Sequence, residues 1–137
     1  AHSPHYYYHK FDPEDEKSHR RSIYRFVVRS QPNPFMTTLD CADSSQSTPK
    51  RNETLTALQA LSLLNNKFTL VMARHFADRL AGKEEKITRQ VELGFELIAG
   101  RPPSAKEQYL LSEYASEHGM ANLCRSLFSL SEFAFID

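Results

Sequence analysis

Four basic residues near the start of the chain recur at four-residue spacing: Lys17, Arg21, Arg25 and Arg29. On a helix this spacing would align them in one stripe. Guanidinium groups bind phosphate and carboxylate groups well, so the stripe could bind phosphates or acidic glycans. It could also form internal pairs with carboxylates and with helix C-terminal carbonyls. The internal interpretation is favoured because Tyr24 and Val28 make the same helix apolar beyond one face.

The segment 32–52 has no helical or alternating pattern, although it contains several side chains that could bind a ligand. A long unpatterned loop inside a compact domain is often functional. Asp40 and Asp43 could meet a hard cation, but they lack the glycine turn and acidic run of a calcium loop. The favoured interpretation is that they form turns or accept hydrogen bonds from arginines. The candidate binding residues are therefore Arg21, Arg25, Asp40, Asp43 and Arg51.

Histidine and cysteine supply no recognisable metal or redox motif. His2, His5 and His9 could ligate a transition metal, but no thiol or carboxylate stands at an obvious third position. The two cysteines, Cys41 and Cys124, form no C-x-x-C pair, which excludes a standard zinc ribbon and a c-type haem attachment. A disulfide is possible, and two buried thiols are favoured. We therefore predict no metal and no cofactor.

The chain also lacks the common catalytic motifs. It contains no G-x-S-x-G elbow, no P-loop, no Rossmann fingerprint and no H-E-x-x-H. We predict no catalytic residue within the chain.

The elements that must position the candidate residues are helices. Asp12 and Pro13 predict a helix start, with the helix running to about residue 29. Residues 51–66 are leucine-rich around most of the helical circumference, as in a helix buried on several sides. Helical periods and caps follow over 67–80, about 84–99, 104–118 and 120–128. We predict an all-α fold of about five to six helices around the central leucine-rich helix, with an extended arm at 1–11.

Size and charge narrow the classes of partner. A chain of 137 residues with 40% hydrophobic content predicts one domain. Its 17 Lys and Arg balance 17 Asp and Glu, so no overall positive field favours nucleic-acid binding. No apolar run approaches the roughly 20 residues that span a bilayer, so no membrane insertion is predicted. The chain begins without Met, which suggests a processed product or an excised fragment.

Several segments occur in an order that resembles a known family. They are residues 19–30, 39–43, 51–66, 100–103 and 123–133, with Leu-Gln-Ala-Leu at 58–61 and Ser-Glu-Phe at 131–133 the most specific. Together they resemble the C-terminal portion of a planctomycete domain of unknown function that accompanies cytochrome c-like domains. The family usually has proline where this chain has Ala57, so the helix start there could differ.

The resemblance implies a cellular location and neighbouring domains, but no particular reaction. Members are typically exported multidomain proteins, and the family supplies no established catalytic residue to carry over. The resemblance therefore implies an exported, periplasmic or cell-surface fragment that contacts other domains of a parent protein or self-associates. Two functions remain open: a non-catalytic interaction or scaffolding module, and part of a site for acidic or sulfated glycans lined by the arginine stripe and the 32–52 loop.

Overall fold

The structure is a computed structural model that describes residues 7–25, 27–28, 31–42, 47, 49, 54 and 56–134. Within these ranges it has seven α-helices and three short 3-10 turns, and its only extended pairing is one isolated bridge between Val28 and Gln31. The all-α prediction is confirmed. The helices are α1 Pro34–Thr38, α2 Ala57–Asn65, α3 Lys67–Ala81, α4 Ile87–Ala99, α5 Ala105–His118, α6 Met120–Leu127 and α7 Ser131–Ala134.

The chain divides into two compact units, Ala1–Ser62 and Leu63–Asp137, and the division falls within α2. The number of domains stays a prediction. None of the helices in the described ranges combines the length and the apolar character that a membrane span requires.

Helix boundaries in the second unit follow from the capping chemistry. The side chain of Asn66 accepts a hydrogen bond from the Phe68 amide (2.9 Å) at the start of α3. Ser104 and Glu107 form the predicted capping box at the start of α5. Gly100 and Gly119 end α4 and α5 with positive φ angles of 69° and 87°, a conformation that glycine adopts without steric cost.

The core of the second unit lies among α3, α4, α5 and α6. Its largest fully buried side chains are those of Leu80, Val91, Leu123 and Leu127. Gly94 of α4 allows α3 to approach closely, because a Cβ at this position would lie 2.9 Å from Cδ1 of Leu80. Substitution of Gly94 by any larger residue would therefore force Leu80, which is fully buried, to move.

The leucine-rich helix is not the buried centre that its composition predicts. The side chains of Leu58 and Leu61 are 63% and 54% exposed, and Gln59 is the buried residue of α2. This helix has nine residues and begins at Ala57, later than the predicted start at 51. The leucines lie on several faces of a short helix, so the neighbouring parts of the chain cannot bury all of them.

The first predicted helix, over residues 12–29, is also wrong. The structure has 3-10 turns at Glu16–Ser18 and Ser22–Tyr24 instead, because Asp12 and Asp15 each accept a hydrogen bond from the amide two residues ahead. Such local bonds offer the backbone an alternative to a continuous helix. A third 3-10 turn, Tyr8–Lys10, lies in the segment predicted to be an extended arm.

The loop predicted over 32–52 contains a helix. Asn33 caps α1 by accepting hydrogen bonds from the amides of Phe35 (3.0 Å) and Met36 (3.3 Å), and Pro34 is the first helical residue. An N-cap asparagine followed by proline is a recognised helix start, and here it precedes a helix too short to show a period.

The packing of the core in the second unit can be tested by making the same substitution at a buried and at an exposed leucine of α3. Leu80→Ala should lower the free energy of unfolding by about 2–5 kcal/mol, because it leaves a cavity beside Gly94. Leu70→Ala, the same change on an exposed side of α3, should lower it by less than about 1 kcal/mol. Urea denaturation of both variants measures the difference, and equal losses would show that Leu80 is not part of a tightly packed core.

Candidate functional site

Asp40, one of the predicted site residues, lies just after α1 with a positive φ angle of 55°. Aspartate is among the few non-glycine residues that tolerate this conformation. Its Oδ2 atom accepts three hydrogen bonds, from the amide (2.8 Å) and hydroxyl (2.7 Å) of Thr54 and from Nε2 of Gln59 (2.9 Å). Asp40 thus holds together two segments that are well separated in the sequence.

Gln59 connects Asp40 to the start of α2. Its Oε1 accepts a hydrogen bond from the amide of Thr56 (2.9 Å), and its own amide donates to the Thr56 hydroxyl (3.2 Å). This reciprocal pair is a capping box. Nε2 of Gln59 also donates to the hydroxyl of Thr54 (2.9 Å), which completes a closed network. The Asp40 carboxylate therefore lies beside the positive end of the α2 dipole.

The network limits what the Oδ2 atom of Asp40 can do chemically. An oxygen that already accepts three hydrogen bonds has no further capacity to accept a proton from a substrate. Within the described residues, moreover, no group of three or more His, Cys, Asp or Glu side chains is arranged to hold a metal ion. The role of Oδ2 is thus to secure the first turn of α2.

The arginines do not form the predicted stripe. Arg21 and Arg25 flank the 3-10 turn Ser22–Tyr24 with extended ψ angles of 144° and 147°, so they do not share a face of a helix. The guanidinium of Arg25 lies 4.4 Å from the centre of the Phe11 ring, a cation–π contact. Burial lowers the pKa of Arg25.

The remaining candidates lie outside the described residues: Asp43, Arg51, Arg29 of the stripe, and the histidines His2 and His5. The glycan-site hypothesis depends on Asp43 and Arg51 as well as on Arg21 and Arg25. It therefore stays a prediction.

A second polar cluster, which the sequence reasoning missed, surrounds Arg101 in the second unit. Its guanidinium lies 4.8 Å from the centre of the Phe95 ring and donates two hydrogen bonds to Glu107 (2.8 and 3.0 Å). It also lies 3.5 Å from the carboxylate of Glu132 in α7. The only sequence signal is that Arg101 falls between the glycine that ends α4 and the capping box that starts α5.

Arg101 changes the titration of Glu107. The hydrogen bonds from Arg101, together with those from the backbone and side chain of Ser104, lower the pKa of Glu107 to about 2. The cluster joins the end of α4 to the starts of α5 and α7. The charged groups of the cluster pair with one another, so the geometry indicates a structural role.

Both cysteines are free thiols, Cys41 exposed and Cys124 buried. Burial raises the pKa of Cys124 to about 12, which keeps the thiol protonated and unreactive. The prediction of a buried thiol is confirmed for Cys124 and wrong for Cys41, which follows the short helix α1.

Comparison with protein families shows where the chain belongs. Residues 2–115 match the model of the family described as PSD1, Protein of unknown function (DUF1553). The chain belongs to this family. No curated protein matches the chain, and no solved structure matches it either. The DUF1553 match includes Asp40, Gln59 and Arg101, and it ends within α5.

The Asp40 network of this DUF1553 chain can be tested by its effect on α2. Asp40→Gly keeps the positive φ angle accessible but removes the carboxylate, so the first-turn amides of α2 should exchange with solvent about tenfold faster or more. Asp15→Gly, which removes another aspartate that bonds a nearby amide, should leave α2 exchange unchanged. Amide hydrogen exchange measures both, and unchanged protection in Asp40→Gly would contradict the anchoring role.

The Arg101 cluster predicts a pH dependence. A carboxylate whose pKa is lowered on folding adds stability above its unfolded pKa, and this contribution is lost as the pH falls from about 4.5 to about 2. Arg101→Gln should raise the pKa of Glu107 toward its ordinary value. Arg89→Gln, which breaks the separate Arg89–Glu92 pair, should not. Carbon-13 NMR of the Glu107 carboxylate measures the midpoint, and an unchanged midpoint in Arg101→Gln would refute the pairing.

Proposed function

We propose that this chain is a non-catalytic helical interaction module of an exported multidomain bacterial protein. Its role is to pack against another domain of the same parent protein. The observation that supports the proposal most directly is the exposure of large apolar side chains around the turn Ser22–Tyr24.

Ile23 and Tyr24 are 79% and 72% exposed, more than any other large apolar side chain in the described ranges, and Val27 is 53% exposed. Single exposed apolar residues are ordinary, but three within five positions indicate a contact surface. Exposed Arg20 and Arg21 precede them. The surface formed by Arg20, Arg21, Ile23, Tyr24 and Val27 suits an apolar protein surface edged with carboxylates.

The role of Asp40 supports the non-catalytic part of the proposal. The candidate residue with the clearest geometry secures α2, and its Oδ2 atom is fully occupied by Thr54 and Gln59. The multidomain and exported parts rest on the resemblance of the sequence to exported planctomycete proteins. Since arginine and tyrosine are enriched at interface hot spots, the turn at Ser22–Tyr24 is a suitable centre for such a contact.

Domain-binding measurements test the proposal. The purified chain should bind the remaining domains of its parent protein in isothermal titration calorimetry. Ile23→Ser/Tyr24→Ser should weaken that binding by about a hundredfold, since two central apolar contacts at about 1–2 kcal/mol each are lost. The matched control is Ile87→Ser/Leu97→Ser, which removes two exposed apolar side chains of α4 (45% and 49% exposed) and should bind like the wild type.

Two results would contradict the proposal. The first is equal binding by the wild type and by Ile23→Ser/Tyr24→Ser, or no binding by either. The second is retention of the chain on heparin that is lost in Arg21→Gln/Arg25→Gln while the helical content is unchanged. The second result would favour the site for acidic or sulfated glycans.

A further inference from the structure

The dipeptide Arg20–Arg21 lies between two of the short 3-10 turns of the first unit, Glu16–Ser18 and Ser22–Tyr24. Both arginine side chains are exposed. Within the described part of the chain, neither guanidinium forms an ion pair, a hydrogen bond or a ring contact. The two adjacent positive charges are therefore available to an acidic group on another molecule.

The backbone of this dipeptide is open as well. Among the described residues, the amides of Arg20 and Arg21 donate no hydrogen bond, and the carbonyl of Arg20 accepts none. Arg21 is extended, with a φ angle of −54° and a ψ angle of 144°. An extended segment with free backbone groups can pair with another protein like an added strand. The dipeptide therefore presents the backbone and the side chains that an endopeptidase cleft binds.

Short-range hydrogen bonds hold the turns on either side. The amide of His19 donates to the carbonyl of Glu16, and the amide of Tyr24 donates to the carbonyl of Arg21, each at 3.0 Å. The ring of His19 also contacts the carbonyl of Pro13 (2.8 Å). Opening the chain at the dipeptide therefore breaks contacts that are close to it in the sequence. Local opening of this kind costs much less free energy than global unfolding.

The other described basic residues are less suited to such binding. Six lie within helices, where several backbone hydrogen bonds would have to break: Lys67, Arg74, Arg79, Arg89, Lys106 and Arg125. Lys83 and Lys86 enclose two glutamates, and Arg101 is paired with Glu107 and followed by proline. In the remaining three, the backbone amide donates a hydrogen bond: Lys10, Lys17 and Arg25. Arg20–Arg21 is thus the most accessible basic segment that the structure describes.

We propose that Arg20–Arg21 is a processing site for an endopeptidase of the trypsin class, whose specificity pocket binds an arginine side chain through a carboxylate. The enzyme hydrolyses the peptide bond after Arg20 or after Arg21. The bond between the carbonyl carbon and the nitrogen breaks, the carbon takes the hydroxyl group of water, and the nitrogen takes the hydrogen. Water is the only co-reactant.

The effect of this cut on docking rests on the proposed function. A cut at the dipeptide places two new charged termini within the contact surface, beside Ile23 and Tyr24, and should weaken docking. The two pieces should stay together, because the Tyr8 hydroxyl bonds the amide of Val28 and the carbonyl of Gln31 across the cut. Cleavage would therefore change the contact surface without releasing the start of the chain.

Digestion by trypsin tests the processing site. The substrate is the full chain carrying Arg29→Gln, Lys50→Gln and Arg51→Gln, so that every remaining lysine and arginine lies among the described residues. Mass spectrometry over time should show the first cut after Arg20 or after Arg21. A first cut at any other residue overturns the proposal.

The intrinsic preference of trypsin is measured in the free peptides 15–26 and 78–91. The quantity compared is the rate of cutting at the dipeptide divided by the rate after Lys83 or Lys86. This ratio should be at least about tenfold larger in the folded chain than in the peptides, because only the folded chain must open locally. An equal ratio in the folded chain and in the peptides also overturns the proposal.

Variants and added domains complete the test. Arg20→Gln/Arg21→Gln should abolish the fast cut with unchanged helical content, whereas the matched control Arg25→Gln should keep it. The remaining domains of the parent protein, at about ten times Kd, should slow the cut about tenfold. A fast cut that these domains do not slow contradicts the proposed function and leaves the processing site standing. If no fast cut occurs in the free chain, the processing site is refuted, whatever the docking measurements show.

Discussion

The close approach of α3 and α4 at Gly94 is the constraint on which the rest of the second unit depends. A fully buried Leu80 occupies the space that a side chain at this position would need. Next to Gly94 in the sequence, Phe95 packs with Val91, Ala115 and Leu123 in the core shared by α4, α5 and α6. The absence of one Cβ therefore determines how deeply the α4 side chains enter the core.

The edge of the same core supports the polar cluster of Arg101. Phe95 is 3% exposed and presents its ring to the guanidinium of Arg101, which in turn binds Glu107 and lies beside Glu132. One aromatic ring thus links the apolar interior to the charged groups that fix the starts of α5 and α7. In α7 the ring of Phe133 stacks on Phe128 at 5.1 Å, so apolar contact and charge act together at this end.

Among the described residues of the first unit, hydrogen-bond networks are more prominent than buried apolar side chains. The network of Asp40, Thr54, Thr56 and Gln59 secures the start of α2. Elsewhere in this unit, the hydroxyl of Tyr8 donates a hydrogen bond to the carbonyl of Gln31 (2.7 Å) and accepts one from the amide of Val28 (3.2 Å). Polar networks of this kind specify a conformation when every member is satisfied. Apolar side chains such as those of Ile23 and Tyr24 stay exposed in this unit, and for this reason the contact surface is proposed there.

The sequence by itself determined the helical class and most of the helix ends from α3 onward. Asn66, Gly100, the capping box at Ser104 and Gly119 act on their immediate neighbours, so local chemistry is sufficient to place them. Only the tertiary structure decided which helices form the core, because a leucine-rich pattern such as that of α2 does not specify what will cover it. It also decided the role of Asp40, since Thr54 and Gln59 become its neighbours through folding and not through spacing in the chain. The prediction of an arginine stripe was wrong because a four-residue spacing aligns side chains only if a helix forms. The local hydrogen bonds of Asp12 and Asp15 favour short turns instead.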